Sequence, residues 1–224
     1  MITAEVCANS IQSAIEGQKG GASRIELCDN LEVGGIIPPY EEIYKSRQLI
    51  EIQLNILIRP REGDFLYSNI EFKTMKEDIR FCGETGCNGV VFGILNYDGF
   101  IDIIRNKELI EIARRYNMSV TFHRAIDCSS DIFQSLEEII ELGCDRILTS
   151  GGKETALEGK YILKKLIEQA GDRIIIMPGS GINENNIKEL VETTGLKEFH
   201  GSFRNNNITN HKKVRQAIEN ANSL

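Results

Sequence analysis

With 224 residues, 41% of them hydrophobic, the chain can bury one substantial core and sits near the lower size limit of single α/β barrels. A net charge of -7 gives no basic footprint for nucleic acid or an anionic membrane, which leaves metal cations and small ligands as partners. The first residues lack the basic and apolar segments of a signal peptide, and no apolar run approaches the ~20 residues of a membrane span, so a cytoplasmic protein is expected. In a reducing compartment the six cysteines should be free thiols, and their spacing shows no paired Cys-x-x-Cys framework.

Strand-like apolar runs alternate with helical periodicity from end to end. Strands are expected at 3–7, 24–28, 53–59, 89–93, 119–123, 146–150, 174–177 and 198–200. Between them, 11–19, 71–85, 107–116, 133–142, 157–169 and 187–194 carry apolar residues at helical spacing, and a short helix is expected at 212–221. Several of these end at glycine, as at Gly86, Gly143, Gly171 and Gly195, where a left-handed cap is cheapest. An open doubly wound sheet would ordinarily carry Gly-x-Gly-x-x-Gly after its first strand, but here the segment is Cys7-Ala8-Asn9-Ser10. The pattern therefore predicts α/β architecture, a TIM-type (β/α)8 barrel forming a single domain over residues 1–224.

In such a barrel the chemistry gathers at the C-terminal ends of the strands. Glu5-Val6-Cys7 and Glu26-Leu27-Cys28 each place a glutamate and a cysteine on one face of a strand. On strands about 4.8 Å apart these groups converge, and paired sulfur favours Cu(I) or Zn. The readings are a metal site, a catalytic cup or buried packing. In Arg59-Pro60-Arg61 extended geometry aims both guanidiniums the same way, toward an anion or toward structural pairing with Glu5 and Glu26. His123-Arg124-Ala125-Ile126-Asp127 sets an imidazole at the rim, as acid, base or metal ligand, beside a carboxylate. His200 ends the last strand, which a barrel returns beside the first, near Glu5 and Cys7.

Glycine clusters follow three late strands: Ser150-Gly151-Gly152, Gly179-Ser180-Gly181 and Gly201-Ser202. Gly179, Ser180, Gly181, Gly201 and Ser202 can form a phosphate site from backbone N–H groups and a helix start, or serve only as tight turns. Cys82, Cys87 and Cys144 read as packing thiols, whereas Cys128 lies within reach of the mouth as a solvated, reactive or ligating thiol.

Glu5-Val6-Cys7, 21–28 (GASRIELC), Gly34-Gly35, 58–68 (IRPREGDFLYS), 121–127 (TFHRAID) and 147–151 (ILTSG) together resemble the CutC copper-homeostasis family over nearly the whole chain. The resemblance implies a TIM-type barrel, a cytoplasmic location, homo-oligomers and a role in copper handling, with copper(I) at Cys7 and Cys28. One departure stands out: where similar proteins follow Gly-Gly with threonine and then Pro-Ser, this chain has Ile36, Ile37, Pro38 and Pro39, losing two hydroxyls at the mouth. Two functional readings follow. The first is a copper-binding protein of this type, with glutamates as auxiliary groups. The second is an enzyme, a lyase or isomerase, acting on a small phosphorylated or carboxylated metabolite. It would use acid/base chemistry through Glu5, Glu26 or His123, with Arg59, Arg61, Arg124, Asp127 and His200 holding the ligand. A third role, as an oligomeric scaffold, needs neither set. No organic cofactor is implied.

Overall fold

The computed structural model describes residues 1–223. The apolar runs form eight parallel strands: β1 (Thr3–Ala8), β2 (Arg24–Leu27), β3 (Gln53–Leu57), β4 (Gly89–Phe92), β5 (Ser119–Phe122), β6 (Arg146–Thr149), β7 (Ile175–Pro178) and β8 (Glu198–Gly201). Each is followed by a helix: α1 (Ile11–Lys19), α2 (Tyr40–Leu49), α3 (Asn69–Glu84), α4 (Ile103–Arg115), α5 (Ile132–Leu142), α6 (Lys160–Ala170), α7 (Ile187–Thr194) and α8 (His211–Ala221). The hydrogen-bonded order runs from β7 down to β1 and on to β8, and β7 packs beside β8 without a paired register. This is a nearly closed (β/α)8 barrel, as the alternation predicts. Among the described residues no helix is long and apolar enough to cross a membrane.

Local signals set the helix ends. Ser68 and Glu71 form a reciprocal capping box at α3, and Asp131 accepts from Phe133 and Gln134 N–H at α5. Gly143 and Gly195 adopt the expected left-handed caps, whereas Gly171 has φ 58° and ψ -131° and takes another turn. Helix α2 is absent from the sequence expectation because it buries only Ile43 and Ser46 and follows Pro39, which gives no side-chain cap.

Strand alternation sorts the interior into two faces. Val6, Ile25, Leu27, Ile56, Val90 and Phe122 join the helices in the main apolar core, while Cys7, Cys28, Leu57 and Val91 form a separate cluster. The barrel axis is polar: Glu5, Arg24, Glu26, Asn55, Thr121 and Glu198 are all buried. At the lower end of the barrel, Arg24 pairs with both Glu5 and Glu198, and Arg146 reaches Glu198 at 2.9 Å. This ion-pair floor closes the barrel beneath the residues at the strand ends.

Candidate functional site

A cavity of about 570 Å³ opens at the C-terminal mouth, with Cys7, Glu26 and His200 on one wall and Arg59, Phe65 and His123 on another. Strand register builds the first wall. Cys7 pairs laterally with Glu26, and Glu5 with Arg24, so Cys28 stands one inward step above the level of Cys7. Despite that stagger the two sulfurs lie 3.6 Å apart, and Cys7 Sγ is 3.9 Å from Glu26 Oε1. Cys28 is also close to Ala8 O, at 3.6 Å, beneath Gly35. Gly35 has φ +85°, and a Cβ there would meet a Leu57 methyl at 2.7 Å and Cys28 Cβ at 3.4 Å, so only glycine lets this loop cover the thiol.

β8 returns His200 to β1, where its Nδ1 lies 2.8 Å from Glu5 Oε1. That contact leaves Nε2 for the cavity side, and donor atoms of Cys7, Glu26 and His200 all fall within 4.8 Å of one another. The electrostatics differ sharply along this wall. Burial alone would raise the Glu5 carboxyl, but the Arg24 charge and then His200 hold it down to about 2. Glu26 has no such guanidinium contact; burial pushes it up to about 7, against the pull of His200. The Cys28 thiol and then burial push Cys7 well above the ordinary thiol range. Burial opposes a charged His200, yet hydrogen bonds with Cys7 and Glu5 and the Glu26 charge raise it well above the usual imidazole value.

On the facing wall, His123 Nδ1 accepts from Ala125 N–H at 3.3 Å, which places the ring proton on Nε2, and Nε2 has no partner. The ring lies over Gly93, where a Cβ would come within 2.8 Å of Nδ1. Burial, followed by the charge of Arg59, lowers His123 to about 3, so it is neutral near pH 7. Arg59 donates to the carbonyls of Val33, Gly35 and Gly63 and sits 5.1 Å over the Phe65 ring.

Several expected site residues are placed differently. Arg61 turns out of the mouth to Glu71 at 2.6 Å and Asp64 at 2.8 Å, because β3 ends at Leu57 and Pro60 breaks the alternation that would align it with Arg59. The structural pairing of Arg59 and Arg61 with Glu5 and Glu26, one of the two readings from sequence, does not form: Arg24 takes Glu5, and Glu26 pairs with no guanidinium. Glu5 is fully enclosed and ionised near neutral pH, with its carboxylate engaged by Arg24 and His200. Asp127 lines the cavity, but its carboxylate is occupied by Thr149 Oγ1, Ser150, Gly152 N–H and Arg124. Arg124 also reaches Ser150 Oγ at 3.0 Å. Ser180, Gly181, Gly201 and Ser202 line the cavity and Gly179 packs beside His200, but no helix starts at the anticipated phosphate loops. α7 begins at Ile187, and a hairpin, β9 (Arg204–Asn205) with β10 (Ile208–Thr209), follows β8. Cys128 is exposed on the cavity rim.

The sequence reading missed Arg24, Arg146 and Glu198. Arg24-x-Glu26-x-Cys28 and Glu198-x-His200 carry the period-two signal that puts Arg24 and Glu198 inside, and Arg146 shares its face of β6 with the cavity-lining Leu148.

Comparison with known proteins decides the family. The CutC family model matches residues 2–205. The chain belongs to the CutC family. A CutC protein of Parabacteroides distasonis is 50% identical over 201 residues, covering 89% of this chain and 82% of that protein. The crystal structure of a CutC protein from Streptococcus agalactiae, named for copper homeostasis, matches with TM-score 0.85 and 35% identity over 90% of this chain and 99% of that one. Thiamine phosphate pyrophosphorylase from Pyrococcus furiosus shares only the fold, with TM-score 0.65 and 17% identity over 99% of this chain and 96% of that one. The CutC barrel here thus has a polar axis, a closed floor and an open mouth.

Proposed function

We propose that this CutC-family chain binds a thiophilic cation, copper(I) foremost, at Cys7, with Cys28 and His200 as co-ligands and Glu26 as an auxiliary oxygen donor. The observation that carries this reading is the 3.6 Å separation of the Cys7 and Cys28 sulfurs beside His200 and Glu26. Two thiolates on a tetrahedral ion with ~2.3 Å bonds stand about 3.8 Å apart, so the pair needs little movement to share one ion. Soft sulfur and imidazole select Cu(I) or Zn over hard cations. Glu5 supplies the outer hydrogen bond that typically fixes a ligating histidine, holding Nδ1 and presenting Nε2. Both thiols must lose protons on binding, so affinity should rise with pH. A cytoplasmic setting, which keeps the thiols reduced, belongs to the same reading.

Anaerobic Cu(I) competition against a chelator, in the parent and in Cys7→Ser, Cys28→Ser and His200→Gln, tests it. Cys7→Ser should lose most, beyond the roughly 10–100-fold that loss of an outer hydrogen bond costs. Cys28→Ser and His200→Gln should each lose less. Equal affinity in all four proteins overturns the metal reading.

A further inference from the structure

Arg59 is 6% exposed, yet its hydrogen bonds go to three backbone carbonyls, and it takes part in none of the ion pairs of the described residues. Every other buried or cavity-lining guanidinium has a carboxylate: Arg24 has Glu5 and Glu198, Arg124 has Asp127, and Arg204 has Glu32. A buried charge without a counter-ion is costly, and carbonyl dipoles solvate it without neutralising it. Beside it, on the same wall, the ring of His123 is 5% exposed and carries an unpartnered Nε2–H. Phe65 joins them, with its ring 4.9 Å from that of His123 and beneath the Arg59 guanidinium.

We infer that this wall is the binding site for a small organic oxyanion, whose negative oxygen lies against Arg59 and accepts the Nε2–H of His123. The carbon skeleton then lies along Phe65 and Leu57, toward the thiols of the opposite wall. Burial and the Arg59 charge keep His123 neutral, and a neutral imidazole with Nδ1 already engaged can act only as a donor here. Both a carboxylate and a phosphate ester present the required oxygen. A cavity of about 570 Å³ holds a metabolite-sized molecule of either class. The inference stands apart from the metal proposal, since neither Arg59 nor His123 is a metal ligand in it.

The test is titration of reduced, metal-free protein, in chelator, with inorganic phosphate and separately with malonate, read by calorimetry and by the ¹⁵N shift of His123 Nε2. Saturation by at least one anion with movement of that resonance is expected, and the anion that binds names the class. Arg59→Met and His123→Phe should each weaken binding by at least about tenfold, the weight of one charge-assisted hydrogen bond. Arg61→Met, whose side chain turns out of the mouth to Asp64 and Glu71, should bind as the parent does. Arg59 also ties down the loops of Val33, Gly35 and Gly63, so His123→Phe carries the test if Arg59→Met fails to fold. No saturation by tens of millimolar of either anion, or parent-like binding in His123→Phe, overturns the inference, whatever the outcome with Cu(I).

Discussion

Two polar layers share the barrel axis, and they are built on opposite terms. In the floor, Arg24, Glu5, Glu198 and Arg146 consume one another's charges. In the layer above, Glu26 Oε2, His123 Nε2 and Arg59 Nε have no hydrogen-bond partner, although all three residues are buried. Both layers arise from the same inward strand positions, so polarity of the axis alone does not mark a site. The mark is whether the polar groups satisfy each other. A closed network holds a fold, whereas an open one is completed from outside.

The largest effect should come from opening the floor. Arg24→Met leaves Glu5 and Glu198 buried without their shared cation and should cost about 3–5 kcal/mol in urea unfolding. Cys7→Ser, in the open layer, should cost about 1 kcal/mol or less. Equal losses would erase the distinction between the layers. Adding Glu5→Leu to Arg24→Met should restore part of the loss, because it removes one of the stranded charges.

Stability against pH separates the layers more finely. The folded state holds His123 at about 3 against an ordinary imidazole value of 6.5, so the unfolded chain takes its proton first and stability falls as pH drops from 6.5. Glu26 works in the opposite sense: raised from 4.5 to about 7, its carboxyl takes a proton in the folded state first, so stability rises as pH drops from 7 toward 4.5. Between pH 6.5 and 4.5 the two oppose, and the parent should be nearly flat. His123→Gln should then gain stability on acidification and Glu26→Gln should lose it, each with a slope up to about 1.4 kcal/mol per pH unit. Below 4.5 the floor takes over, since Glu5 contributes stability that is lost as pH falls toward about 2. Urea midpoints across this range, with unchanged slopes in the two variants, would contradict the assignment.

Where the layers meet, Glu5→Gln should weaken Cu(I) binding by about 10–100-fold without touching the ion, because it loosens the orientation of His200. An unchanged affinity would confine Glu5 to the floor. The smallest effect belongs to Arg61→Met: its pairs with exposed Asp64 and half-buried Glu71 lie outside the core, and their loss should cost about 1 kcal/mol or less.

The strands and their inward faces were legible because period-two alternation is a local property of the chain. Gln53, Gly89, Ser119 and Arg146 begin strands where the apolar runs place them. Partner choice was not legible, because it depends on stagger around the barrel. That stagger sets Cys7 beside Glu26 and hands Glu5 to Arg24, so the two thiols meet diagonally. Arg61 was misplaced for a related reason: alternation holds only while the strand lasts, and Pro60 lies beyond its end. Asp127 reads as a ligand group in sequence, but only the fold shows the Ser150 to Gly152 loop closing on it.

X-ray absorption spectroscopy of anaerobically Cu(I)-loaded protein decides whether the open layer takes a metal through sulfur and imidazole. Sulfur together with nitrogen is expected in the first coordination shell, with loss of sulfur scattering in the Cys7→Ser, Cys28→Ser double variant. A shell containing only nitrogen and oxygen, or one unchanged in that variant, would contradict it.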